Sequence, residues 1–152
     1  MLLYIIIICS VVPFIIWKIG DGRRARHKLL AGLVFDKFQG LKRFEKACLN
    51  AYEENSDNLS KEKFHEAEKN WHSSFRIEAG QYLQQKYSAA ELSNFLSEMK
   101  DLSDEVSLNA IIPDYASHID KVAKQNATNL IQRLRPNLKD DQQVMGRRRR
   151  RR

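Results

Sequence analysis

Cysteine, glycine and proline are all scarce in this chain: two, six and three among 152 residues. Two cysteines build no disulfide framework. Cys9 stands in an apolar run and Cys48 on a predicted helix, where a thiol serves as a small buried apolar group. No Gly-rich phosphate loop, G-x-S-x-G elbow or paired-carboxylate context occurs, so the usual catalytic signatures are missing. No stretch alternates apolar and polar residues as a half-buried strand requires, and no internal repeat is evident. The expectation is therefore an all-α chain without enzymatic activity, cofactor or metal.

A long uncharged run is what the sequence does have. Leu2 to Trp17 carries no charged side chain, its only titratable groups being the Tyr4 phenol and the Cys9 thiol. As a helix, Leu2 to Ile19 covers roughly 27 Å, close to the ~30 Å hydrocarbon core of a bilayer, provided that Lys18 snorkels to the interface. Tyr4 and Trp17 stand where interfacial rings are favoured, and Pro13 is tolerated in a membrane helix. Lys18, Arg23, Arg24, Arg26 and Lys28 follow at once. With these charges behind the run, the positive-inside rule predicts a single-pass signal anchor (1–19), a basic juxtamembrane linker (20–28) and a cytoplasmic domain. Two other readings compete: an exported protein with a cleaved signal, disfavoured by the missing basic n-region and A-x-A site, and a buried core helix.

The net charge of +7 is concentrated at the two ends. Arg147 to Arg152 hold six positive charges and the group from Lys18 to Lys28, less Asp21, a net four, which leaves −3 for the middle. A basic nucleic-acid-binding body is thereby excluded.

Helical periodicity then runs through most of the chain. Gly20 and Gly22 around Asp21 suggest a hinge. Leu30, Val34, Phe38, Leu41, Phe44, Cys48 and Tyr52 form one stripe, read as a single helix ending at Asn55–Asn58. A second helix is predicted from Ser60 to Tyr87, with Phe64, Ala67, Trp71, Phe75, Ala79 and Tyr82 inward. Ser88-Ala89-Ala90-Glu91 is a capping box opening a third. Pro113 breaks the pattern, and a last helix follows from Pro113 or Asp114 to Arg135, stopped by Pro136. These suggest an antiparallel bundle of about four helices over 29–135, with a disordered Arg-rich tail at 136–152. Tyr82 to Met99 (YLQQKYSAAELSNFLSEM) resembles the helix–turn–helix phrase of some uncharacterised bacterial helical domains of exported proteins; no function is carried over from it.

Local constellations are weak. His65, Glu66 and His72 tempt a metal reading, but the histidines are seven apart, whereas the zinc-protease motif needs four. Helix-surface histidines explain them better. Cys48 has no spacing that pairs it with a histidine as a nucleophile. Asn126-Ala127-Thr128 matches a glycosylation sequon inside a helical pattern. The aromatic stripe of the second helix reads as core, or as part of a partner-helix groove if exposed. Arg147, Arg148, Arg149, Arg150, Arg151 and Arg152 can grip phosphate on anionic lipid or nucleic acid, or form a tail of little consequence. The leading expectation is a membrane-anchored interaction or scaffold module with a protein partner; the alternative is a tethered polyanion binder.

Overall fold

In the computed structural model the chain is described at residues 2–56 and 59–135, with side chains from residue 20 onward. Six helices follow one another: α1 (Leu2–Lys37), α2 (Gly40–Glu53), α3 (Lys61–Lys86), α4 (Ala89–Glu98), α5 (Glu105–Ile111) and α6 (Tyr115–Leu134). Among the described residues there is no strand, and the all-α expectation holds.

The membrane-spanning part of the expected fold does not hold. Among the described residues no helix is long and apolar enough to cross a membrane. This overturns the single-pass anchor and the cytoplasmic placement deduced from it. The physical weakness lies in the length. Without Lys18 the run from Leu2 to Trp17 covers only about 24 Å, and the expectation depended on counting the lysine in. The suggested hinge is also absent, because α1 runs through Gly20 and Gly22 as continuous helix. A helical glycine costs about 1 kcal/mol, too little to break a helix by itself.

Contacts between side chains fix the arrangement. Along α3, residue numbers run opposite to those of α1: His27 meets Tyr87, Gly32 meets Arg76 and Asp36 pairs with Arg76. They also run opposite to α2, where Phe44 stacks on Phe75 and Tyr52 lies against Phe64. So α1 and α2 lie end to end along α3, which is about 39 Å long. Helix α6 is antiparallel to α3 (Tyr115 donates to the Ala79 carbonyl, Trp71 to Asn126) but parallel to α2, joined to it by Arg43–Asp120 and Arg135–Asn55. The bundle is thus not uniformly antiparallel. Two trios result: α2, α3 and α6, in which α6 lies against α3 from Trp71 to Tyr82, and α1, α3 and α4, in which α4 packs chiefly on α1.

The step from α1 to α2 replaces the single helix expected there. Gln39 adopts the left-handed conformation (φ 52°, ψ 39°), and Gly40 opens α2. A Cβ on Gly40 would stand 2.1 Å from the Phe35 ring, so only glycine lets that ring tuck beneath the turn. Elsewhere the signals agree with the structure. Ser88 and Glu91 form the reciprocal capping box. Asp104 caps α5 by accepting from the Ser107 N–H at 2.8 Å. Pro113 separates α5 from α6, although Asp114 is left-handed (φ 63°) and makes no side-chain cap.

The core is continuous from Leu30 to Ile131, mostly aliphatic, with a cluster of aromatic rings at its middle. Phe75 sits at its centre, edge-on to Phe35 at 5.7 Å and stacked on Phe44 at 4.6 Å. Phe75→Ala is expected to destabilise the fold by about 3–5 kcal/mol, read from the urea midpoint. Gly40→Ala should cost about 1–3 kcal/mol by displacing Phe35, whereas Gly22→Ala, with open space around the new Cβ, should be neutral or slightly stabilising. Equal melting shifts for the two glycine variants would show that the turn does not depend on Gly40.

Candidate functional site

A cleft of about 740 Å³ opens between α2 and α3. Glu45, Leu49 and Tyr52 line it from α2, and Lys61, Glu62, Phe64, His65, Glu68, Lys69 and His72 from α3. The pairing of the two helices creates it. Phe44 and Cys48 turn inward, so Glu45 and Leu49 fall one position around the helix and form a wall, which Tyr52, the next residue of the inward stripe, closes at one end. Leu49 is 55% exposed, an apolar side chain without cover among the described residues.

Glu68 gives this cleft its chemistry. It lies on the apolar ladder of Phe64, Trp71 and Phe75 and is 8% exposed, one of two buried polar side chains among the described residues. Its Oε2 accepts from His65 Nδ1 at 2.9 Å. A carboxylate so shielded attracts a cation far more strongly than one in water. One turn further along α3, His72 lies edge-on to Phe44. Its Nε2 is buried without a hydrogen-bond partner among the described residues and faces Glu45 Oε1 at 3.8 Å, beyond hydrogen-bond reach. Cys48 packs beneath. Burial, and then the Glu68 and Glu45 carboxylates, push its thiol up to about 12.

Two further polar groups brace the frame. The Arg43 fork donates to both oxygens of Asp120 at 3.1 and 2.9 Å, pairs with Glu105 at 2.9 Å and donates through Nε to the Phe38 carbonyl. Burial opposes its charge, but the bonds to Asp120 and Glu105 outweigh this and raise its pKa. One residue therefore joins the end of α1 to α5 and α6. Asn126 is the second. It accepts from Trp71 Nε1 at 2.8 Å and donates to Glu78 at 3.0 Å and to the Val122 carbonyl at 2.9 Å. Its amide is committed inside the fold, which argues against the sequon as a glycosylation site.

The residues singled out from the sequence are distributed as follows. Arg23, Arg24, Arg26 and Lys28 are exposed on α1, and the three arginines stand with His27 beside Ala89 and Ala90 at the start of α4. The side chains of Tyr4, Trp17 and Lys18, and all of Arg147 to Arg152, lie outside the described residues. His65 and His72 share the cleft, while Glu66 is exposed and does not line it. Among the described residues no group of three or more His, Cys, Asp or Glu is placed to hold a metal ion. Glu68 was missed, although a glutamate interrupting the 64–71–75 apolar ladder was a readable signal. No protein family, curated protein or solved structure matches the chain in comparison.

Because the Cys48 thiol titrates near 12 in the folded chain and near 9 when unfolded, the folded state holds the proton longer. Its contribution is complete below pH 9 and is lost as pH rises from about 9 towards 12, at up to ~1.4 kcal/mol per pH unit. Chemical denaturation across this range should show a steeper loss for the native chain than for Cys48→Ala; identical slopes would contradict it. Arg43→Ala should cost about 2 kcal/mol and Arg43→Lys only part less, since an ammonium cannot reproduce the fork.

Proposed function

We propose that the chain is a non-catalytic binding module that receives a protein segment in the α2–α3 cleft. The observation that carries this reading is a buried carboxylate, Glu68, at the floor of an open, mostly apolar groove whose rim leaves Leu49 exposed. An apolar groove between two helices accepts an amphipathic segment through hydrophobic anchors. Glu68, with Glu45 and Glu62 on the walls, outnumbers Lys61 and Lys69 and favours a segment that also brings a guanidinium or ammonium group. Tyr52 and Phe64, with ring centroids 5.2 Å apart, supply the aromatic surface on which such a side chain lies.

Panning a display library of short helical peptides against the full chain tests the reading. Enriched sequences should combine apolar residues at helical spacing with at least one Arg or Lys. Their affinity should fall at least tenfold on Leu49→Glu and on Glu68→Gln, while the thermal melt of Leu49→Glu, an exposed position, stays close to that of the native chain. Peptides that bind equally well to both variants would overturn it.

A further inference from the structure

We propose that His65 and His72 make the α2–α3 cleft a pH-gated site, which holds a basic partner segment at neutral pH and releases it under mildly acidic conditions. The inference rests on the reading of that cleft as a binding groove and names how its occupancy is regulated.

Their spacing, which rules out a shared metal ion, suits two separate pairs. His65 and His72 are two helical turns apart, about 10 Å, and so stand on the same side of α3. Each faces a carboxylate of its own. His65 Nδ1 is 2.9 Å from Glu68 Oε2, and His72 Nε2 is 3.8 Å from Glu45 Oε1 on α2. The second pair is unfinished. His72 Nε2 is buried and has no hydrogen-bond partner among the described residues, whereas the Glu45 side chain, 49% exposed, has room to turn towards it. A proton gained by that ring supplies both the positive charge and the N–H donor that draw the carboxylate across the remaining distance.

The same protons reverse the charge of the cleft. Glu45, Glu62 and Glu68 against Lys61 and Lys69 leave its lining at −1 while both histidines are neutral and at +1 when both are protonated. Histidine is the side chain whose charge changes between pH 5 and 8. The other groups around the two rings do not cancel the reversal. On α3, Arg76 stands one turn beyond His72 and is paired with Asp36, while Glu66 is exposed and does not line the cleft. On α2, Tyr52 donates to the Leu59 carbonyl, and Cys48 keeps its proton because its thiol is pushed up to about 12. On α6, Arg133 lies over the Trp71 ring and is a fixed positive charge. Protonation therefore acts twice against a bound guanidinium or ammonium group. It makes the cleft repel a cation, and it commits Glu45 and Glu68 to partners within the fold.

A first test needs only the full chain and its variants. Glu45→Gln should lower the melting temperature by about 2 °C more at pH 5.5 than at pH 8, the worth of a half-exposed ion pair, and this difference should vanish in a His72→Gln background. An equal effect at both pH values would overturn the gate. A second test uses a fluorescent, histidine-free peptide enriched by panning on the full chain at pH 8. By anisotropy its affinity should fall at least fivefold between pH 8 and pH 5.5. The fall should be less than twofold for the chain carrying His65→Gln with His72→Gln, and for the native chain when the Arg or Lys of the peptide is changed to Gln. Constant affinity of the native chain, or a fall that survives in the histidine variant, overturns the gate and leaves the groove reading standing. If no enriched peptide depends on Leu49, the groove reading itself fails and the gate falls with it.

Discussion

The Phe75 ring, held between Phe35 and Phe44, is the contact on which the architecture depends. It sits at the middle of α3, where the end of α1 gives way to the start of α2. Two helices can share one partner end to end only if the chain turns sharply without leaving the surface of α3. Gln39 in its left-handed conformation and the bare Cα of Gly40 provide that turn, and Phe35 fills the space that a side chain would have taken. Aromatic stacking adds about 1 kcal/mol per pair to the burial of these rings. Its greater effect is geometric, because it sets the angle at which α2 leaves α1 and hence the wall of the cleft.

Polar groups then fix what burial alone leaves free to slide. Hydrophobic contact is non-directional, whereas the Arg43 fork and the Asn126 amide demand particular partners at particular distances. Arg43 locks α2 to α5 and α6 on one side, and Asn126 locks α6 to α3 on the other. The α2–α3 pair is thereby clamped from behind, and its open face needs no further support. That is why a groove with an exposed leucine and a buried carboxylate can persist in so small a fold.

Much of the helical content was legible because its signals are local. The capping box at Ser88, the break at Pro113 and the long stripe of α3 each depend on residues within one or two turns. The turn at Gln39 was not legible. Phe38, Leu41, Phe44 and Cys48 keep a helical rhythm straight across it, and glutamine does not advertise a positive φ. Parallel pairing of α2 with α6 depends on contacts between residues about 80 positions apart, which periodicity cannot register. The cleft was half visible: His65 and His72 drew attention for the wrong chemistry, and the decisive residue, Glu68, was hidden within an apolar ladder. At the start of the chain, composition alone suggested a bilayer span that no described helix supports.

Helix α3 belongs to both trios, which gives the molecule one continuous core and no seam. A chain with two cores usually offers a linker at which it can be divided, whether by a protease, by recombination or by a designer. Here the halves are joined by the buried face of α3, with Phe75 near its midpoint, and by the turn from α1 into α2. A cut in α3 near Phe75 divides the ring cluster that joins the two trios. The fold is therefore indivisible in a way that its modest size would not require, and shuffling or fusion is compatible with it only at the α2–α3 connection or beyond the ends of the bundle.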